Sequence, residues 1–270
     1  MNSQVFPKER IKKIKNLHEH KERVESELFI IEGMRLMDEA LKEMVPIEEA
    51  LYTARLAETS QGGVLLASMR KKRLSVSQIT EKALRAIAET ENPQGILAVA
   101  RQLKWTFKDL IKNKGTVIIA CGLQDPGNLG TIIRSADAGG CGGVFTTQNS
   151  VDIYNSKVIR ATMGSIFRLP VMKFDDTEEA VSALKKEGYQ IIATTAHSRS
   201  SYLDPDYMKP TAFLIGQEGS GLSEEALKSA DKKVFIPMKK GVESLNAAVS
   251  ASILIYEAFR QRIKDVRRET

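Results

Sequence analysis

The sequence predicts an α/β protein of two domains, the second built on a mostly parallel sheet. Runs such as Thr116–Cys121 (TVIIAC) and Thr211–Ile215 (TAFLI) are apolar without alternation, the pattern of strands buried on both faces. Segments of helical spacing separate such strands from Thr116 onward, and helices in those positions cover both faces of a parallel sheet. A chain of 270 residues is long enough to bury two modest cores.

Composition narrows the function classes. Hydrophobic residues make up 42% and charged residues 27%, as in soluble globular proteins. No apolar run approaches the roughly 20 residues that cross a bilayer, so no membrane partner is expected. The opening MNSQVFPKERIKK lacks the apolar core of a secretory signal. Cys121 and Cys141 cannot build a disulfide framework, and with 3 histidines they make no metal-ligand pattern. A cytoplasmic protein without a metal is expected. The net charge of +6 favours an anionic partner, nucleic acid first. The two halves share that charge evenly, so local clusters must carry any binding surface.

Residues 1–105 are expected to form a small α/β domain. Ile11, Ile14, Leu17 and Val24 recur at helical spacing among Lys8, Arg10, Lys12, Lys13, Lys15, Lys21 and Arg23. This predicts an amphipathic helix with a basic face, which a solvated surface and a phosphate contact explain equally well. Leu28–Glu32 is a strand stopped by Gly33, Met34–Glu43 a helix and Ile47–Tyr52 a strand. Gly62-Gly63 predicts a chain break, Val64–Ala67 a third strand, and Arg70-Lys71-Lys72-Arg73 forms a second basic cluster. Thr80–Glu89 is helical, Asn92-Pro93-Gln94-Gly95 a turn and Ile96–Ala100 a strand. The polar segment from Arg101 to Asn113, with Trp105, is expected to lead into the second domain, the linker falling at 106–115.

The second domain is expected over 116–270. After strand Thr116–Cys121 comes a helix Asn128–Ala138, capped by Asn128 and stopped by Gly139-Gly140. Strands follow at Val144–Thr147, Leu169–Met172, Gln190–Thr195, Thr211–Ile215 and Val234–Met238, and helices at Lys157–Met163, Thr177–Glu187 and Ser223–Ala230. A charged loop, Lys239–Glu243, then delivers Ser244-Leu245-Asn246 to a final helix that is small or apolar nearly all round, and so buried.

Three stretches, each following a strand, carry candidate chemistry. In the first, Gly122 to Arg134, Asn128, Thr131 and Arg134 share a helix face. A capping Asn and a surface Arg account for this as well as an arginine aimed at phosphate, which its planar fork suits. In the second, Gly216-Gln217-Glu218-Gly219-Ser220-Gly221, glycines let a ligand approach the backbone while Glu218 offers a carboxylate. The order is not G-x-G-x-x-G, and no P-loop occurs, which argues against a dinucleotide enzyme. In the third, Ser244 satisfies an N-cap, and capping leaves Asn246 unexplained.

In order and spacing, Asn128-Leu129-Gly130…Arg134, Gly216-Gln217-Glu218…Gly221-Leu222 and Ile236-Pro237-Met238…Ser244-Leu245-Asn246 resemble the three motifs of the SpoU/TrmH family of the SPOUT superfamily, RNA ribose 2′-O-methyltransferases. The resemblance covers Thr116 to Arg262. Residues 1–105 are similar, less specifically, to the ribosomal-protein-like RNA-binding domain that many members carry. The chain departs from the family pattern at Lys239-Lys240-Gly241, at Ala247-Ala248, and at Gln217, where Asn is common.

The resemblance implies a SPOUT domain with a deep trefoil knot, S-adenosylmethionine as methyl donor, and a homodimer. Thr195, Gly216, Gly219, Ile236, Met238, Leu245 and Ala247 would hold the cofactor. Arg134, Asn128, Glu218, Ser244 and Asn246 would form the catalytic set. Structured RNA is the implied substrate, ribosomal RNA being favoured over transfer RNA because an N-terminal recognition domain is present. The alternative is an RNA-binding or ribosome-assembly factor without catalysis.

Overall fold

The computed structural model describes residues 6–242 and 244–263. Glu243 of the expected charged loop and the final residues 264–270 lie outside the described residues. The chain divides into two compact units, Met1–Lys104 with Tyr154–Phe167, and Trp105–Ile153 with Arg168–Thr270.

The first unit begins with α1 (Lys8–Asn16), α2 (His20–Ser26), β1 (Leu28–Glu32), α3 (Met34–Lys42) and β2 (Ile47–Thr53). It continues with α4 (Ala54–Ala57), α5 (Ser60–Lys71), β3 (Val76–Ile79), α6 (Glu81–Ile87) and β4 (Ile96–Arg101). The sheet order is β1-β4-β2-β3, with β4 antiparallel to both neighbours and β3 parallel to β2. Ile14 and Leu17, with Leu84 and Ile87 of α6, pack on Ile30, Leu51, Ile79, Leu97 and Val99. Side chains alternate across a strand, so Phe29 and Ile31 face the other way.

Two expectations fail here for local reasons. The single basic helix is two helices, broken at Leu17–Glu19. Arg23, 3% exposed, donates from Nη1 to the carbonyls of Leu17 (2.8 Å) and His18 (2.7 Å) and holds that corner. It is a structural arginine, not part of a basic face. Gly62-Gly63 is no break either, and Val64–Ala67 is helical. Thr59 caps α5, accepting from Gly62 N at 3.0 Å, and Leu65, Leu66 and Met69 form its buried side. A Cβ on Gly62 would lie 2.0 Å from the Leu56 carbonyl, so the glycine serves close packing. The third strand is Val76–Ile79 at the sheet edge.

The second unit holds α7 (Phe107–Ile111), β5 (Thr116–Ala120), α8 (Pro126–Ala138) and β6 (Gly143–Thr146). The chain then joins the first unit through α9 (Ser156–Thr162) and a 3-10 turn (Ser165–Phe167), where Phe29 meets the rings of Tyr154 and Phe167. It returns with β7 (Val171–Lys173), α10 (Thr177–Lys186), β8 (Gln190–Thr194), β9 (Thr211–Ile215), α11 (Glu224–Ser229), β10 (Lys232–Val234) and α12 (Ala247–Arg262). The expected linker contains α7. Thr106 and Asp109 form its capping box, and Leu110 is fully buried.

All six strands of the second sheet run parallel, in the order β10-β8-β9-β5-β6-β7. Leu110, Phe174, Ala180, Leu184 and Ala226 cover one face against Val117, Ile119, Ile191 and Leu214. α8 and α12 pack together and against the strands. A Cβ on Gly139 would lie 2.2 Å from Ile255 Cγ2, and Ser135 Oγ is 2.8 Å from Ser252 Oγ, which measures how closely these helices approach. The strand expected at Val234–Met238 is Lys232–Val234: past Val234 the chain leaves β8, and Phe235 pairs with the 200–202 segment, its N donating to Ser200 O and its O accepting from Tyr202 N, both at 2.9 Å. Nor is α12 buried all round. Val249 (47% exposed) and Tyr256 (49%), two turns apart, present an apolar stripe to solvent.

Two outcomes follow from this packing. Gly139→Ala overpacks the α8–α12 contact and is expected to cost about 1–3 kcal/mol, read from the urea midpoint. In the first unit, burial works against ionisation of Glu89. The bond from Ser156 Oγ, with the charges of His18 (Nδ1 at 3.1 Å) and Arg160 (3.4 Å), outweighs it and lowers the carboxyl pKa. A lowered native pKa adds stability that is fully present above the unfolded carboxylate value and lost as pH falls through the native one. Glu89→Gln is expected to flatten the acid limb of a thermal-melt pH series; an unchanged limb would assign acid sensitivity elsewhere.

Candidate active site

The order of the second sheet reverses at β5 and β9, and the carboxyl ends of strands at such a reversal leave a crevice. A cleft of about 360 Å³ lies at the ends of β8, β9 and β10, within the size range of small-molecule sites. All seven residues expected to hold a cofactor line it: Thr195, Gly216, Gly219, Ile236, Met238, Leu245 and Ala247. Glu218 and Ser244 line it too, and so do His197, Gln217 and Ser220, none of which the sequence assigns to the cofactor.

Local chemistry shapes the cleft. β9 is fully buried to Ile215 and then turns sharply. A Cβ on Gly216 would stand 2.3 Å from the carbonyl carbon of Gly221, so no larger residue fits. Gly219 is the opposite case: a Cβ there would meet nothing within 4 Å, leaving its backbone open to a ligand. Beyond β10, the Phe235–Met238 segment leaves the ladder, and Ile236 and Met238 supply apolar walls.

The three candidate stretches meet through side chains. Asn246 Nδ2 donates to Asn128 Oδ1 at 2.8 Å, and Asn128 Nδ2 donates to Glu218 Oε1. The caps differ from those expected. Asp125 caps α8, accepting from Asn128 N at 2.7 Å, with Pro126 at the first helical position. Asn128, two positions further in, therefore has its amide free for Glu218 and Asn246. Asn246, not Ser244, caps α12, its Oδ1 accepting from Ala248 N (2.9 Å) and Val249 N (3.2 Å). Capping occupies one end of that amide and the bond to Asn128 the other. The Asp125-Pro126 pair was the legible signal for the true start of α8.

Arg134 and Ser244 stay outside this chain of bonds. Arg134 is exposed on α8, six residues past Asn128, and makes no hydrogen bond or ion pair with the described residues. Ser244 is exposed at the cleft. The two cysteines are not reactive alternatives. Burial pushes the thiol of Cys121 up to about 12, against a weaker opposing bond from Thr177, and burial likewise pushes Cys141 up to about 12. Among the described residues no group of three or more His, Cys, Asp or Glu side chains could hold a metal ion.

The chain has known relatives. Residues 115–256 match the SpoU rRNA Methylase family, and residues 8–98 match the MRM3-like substrate binding domain. The 23S rRNA (guanosine(2553)-2′-O)-methyltransferase RlmP of Bacillus subtilis is 32% identical over 92% of this chain and 95% of its own. The solved SpoU methyltransferase AviRb from Streptomyces viridochromogenes superposes with a TM-score of 0.85 at 27% identity, covering 95% of this chain and 98% of that one. An AdoMet-bound rRNA methyltransferase from Sinorhizobium meliloti gives a TM-score of 0.83 at 30% identity, covering 94% and 95%. With strand-end loops joined through Asn128, Glu218 and Asn246, and a family match across more than half its length, the chain belongs to the SpoU rRNA methylase family.

Proposed function

We propose that this protein methylates a ribose 2′-hydroxyl of ribosomal RNA, with S-adenosylmethionine as donor. The observation that carries the reading is the bonded chain Asn246–Asn128–Glu218 at the edge of the cleft. The Bacillus subtilis relative is named for this reaction on 23S rRNA, and the Sinorhizobium meliloti relative is described with AdoMet bound. The cleft suits that cofactor: the open face of Gly219 admits close backbone approach, and Ile236, Met238 and Leu245 offer apolar surface. Thr195, Gly216 and Ala247 complete the holding set. When bound, the cofactor supplies a methyl group on a sulfonium.

The residues of the chain then prepare the hydroxyl. A neutral hydroxyl is a weak nucleophile and must gain anionic character. Arg134 is permanently charged and is no base. Its unpaired guanidinium binds the neighbouring phosphate and stabilises the developing alkoxide. Glu218 has one oxygen bonded to Asn128; its second accepts the hydrogen bond of the 2′-hydroxyl and passes the proton to solvent, to which Glu218 is exposed. Asn128 and Asn246 fix the carboxylate, and Ser244 adds a hydroxyl beside the ribose.

The finer architecture belongs to the same reading. The last segment is threaded as a deep trefoil knot. In support, the end of α12 is tied to the loop between β8 and β9: Gln261 Oε1 accepts from Tyr207 N (2.9 Å), and Arg262 Nε donates to Tyr207 O (2.9 Å). The chain forms a homodimer, for which the exposed stripe of Val249 and Tyr256 is the candidate surface. No described helix is long and apolar enough to cross a membrane, and the site of action is the cytoplasm. The first unit binds RNA through Lys8, Lys12, Lys13 and Lys15 and through Arg70-Lys71-Lys72-Arg73, all exposed and without ion pairs among the described residues.

Arg134→Ala is expected to lower kcat for methyl transfer to ribosomal RNA by about 100-fold or more while S-adenosylmethionine affinity by calorimetry is unchanged. Arg134→Lys is expected to recover little, having charge without the fork; full activity in either variant would remove the assigned role. RNA affinity should fall steeply with salt, each phosphate contact adding about 0.7–0.9 to the log–log slope, and replacing Arg70, Lys71, Lys72 and Arg73 by Ala should make the slope shallower. A flat response in the parent protein would take both clusters out of the interface.

A further inference from the structure

The loop after β9 is closed at its own base, yet one of its side chains reaches out of it. Gln217 and Gly221 exchange both backbone bonds, Gln217 N to Gly221 O at 3.1 Å and Gly221 N to Gln217 O at 3.0 Å. This pair fixes the internal shape of the Glu218-Gly219-Ser220 turn. The Gln217 side chain continues from there. Its Oε1 accepts from Ser220 Oγ at 3.0 Å, and its Nε2 lies over Gly122, where a Cβ would stand only 2.6 Å away.

Gly122 opens the loop that leaves the neighbouring strand β5. Its φ is +65°, and its N–H donates to Thr147 Oγ1 at 3.2 Å, so the backbone there is held from the far side. The same loop leads to Asp125, the cap of α8, and to Asn128, which bonds Glu218. Two successive residues of the β9 loop therefore meet the segment that follows β5: Gln217 by packing on Gly122 in the loop, Glu218 by its bond from Asn128 in the first turn of α8. The backbone pair sets the shape of the β9 loop; Cys121 N, donating to Ile215 O at 2.8 Å, ties the two strand ends, and beyond that bond the Gln217 side chain lies between the two loops. Truncation would leave the turn closed and free its spacing. Gly122 is the complementary half, since its missing Cβ makes the room that the amide fills.

We propose that Gln217 is a positioning residue for methyl transfer, spanning the two loops and fixing where Glu218 meets Asn128. The proposal rests on the methyltransferase reading above. Gln217 acts on the reacting hydroxyl only through Glu218 and Asn128.

The test uses the full-length protein with Gln217→Ala, Gln217→Asn, Gly122→Ala and the double variant Gly122→Ala/Gln217→Ala. Steady-state methyl transfer to ribosomal RNA, calorimetry with S-adenosylmethionine, and the side-chain amide signals of Asn128 and Asn246 in ¹⁵N spectra are read together. Gln217→Ala is expected to lower kcat by about 10- to 100-fold, the scale of a small misplacement of catalytic groups, with cofactor affinity and KM for RNA held. Gln217→Asn is expected to lie between Ala and the parent, and both shift the Asn128 amide signals. Gly122→Ala brings backbone strain of its own at φ +65° besides the contact with the amide, so it should lower kcat alone, and adding it to Gln217→Ala should cost less than it costs in the parent protein, because no amide remains to be struck. Unchanged kcat and unchanged Asn128 signals in Gln217→Ala would overturn the proposal. So would additive losses in the double variant, or a loss of cofactor affinity as large as the loss in kcat. Should the parent protein transfer no methyl group to RNA, the methyltransferase reading fails, and the amide signals still decide whether Gln217 positions Asn128.

Discussion

One side-chain amide joins the parts of the second unit that matter for chemistry. The carbonyl end of Asn246 accepts the first free N–H groups of α12, which any helix start must satisfy, and its NH₂ end donates to Asn128 on α8. Asn128 in turn holds Glu218 beyond β9. A serine at the same place would cap the helix but could not also donate to Asn128 in this way, because its single hydroxyl lacks an amide's opposed donor and acceptor ends. The relative position of α8, α12 and the β9 loop thus rests on a residue that is at once cap and bridge.

The sheet makes that bridge possible. Parallel strands deliver their carboxyl ends to one edge, so loops far apart in sequence, after β5, β8, β9 and β10, emerge side by side. The helices must then approach closely enough for two short side chains to touch. Gly139 under Ile255 and the Ser135–Ser252 contact show how that approach is achieved, through small residues where the helices press together. Beyond the bonded chain, Arg134 is left exposed and unpaired among the described residues, which suits a group that meets its partner only when an anion arrives.

The first unit follows a different economy of charge. Some of its basic residues serve the fold: Arg23 is buried against two carbonyls, and Arg10 pairs with Glu49. Others, along α1 and around the end of α5, have no internal partner among the described residues. The unit also incorporates Tyr154–Phe167, whose Ser156 and Arg160 engage Glu89 and whose rings lie against Phe29.

Much of this was legible in the sequence, where the signal is local. Apolar β-branched runs located the strands of the second sheet, and three ordered motifs identified the family before any contact was known. A local signal misleads where two structures satisfy it equally. Val64–Ala67 looked extended after two glycines, but Thr59 caps a helix there and Gly62 packs against Leu56. Asn128 and Ser244 looked like caps because their residue types cap helices well. Asp125 and Asn246 have that role, the first because Pro126 starts the helix behind it and the second because Asn128 awaits its other end. The sequence by itself determined which residue types stand at the strand ends, since strand and turn patterning are properties of neighbours along the chain. Only the tertiary structure decided which of them touch, because the bonds among Asn128, Glu218 and Asn246 span 90 and 118 residues and exist only once a parallel sheet has brought those strand ends to one edge.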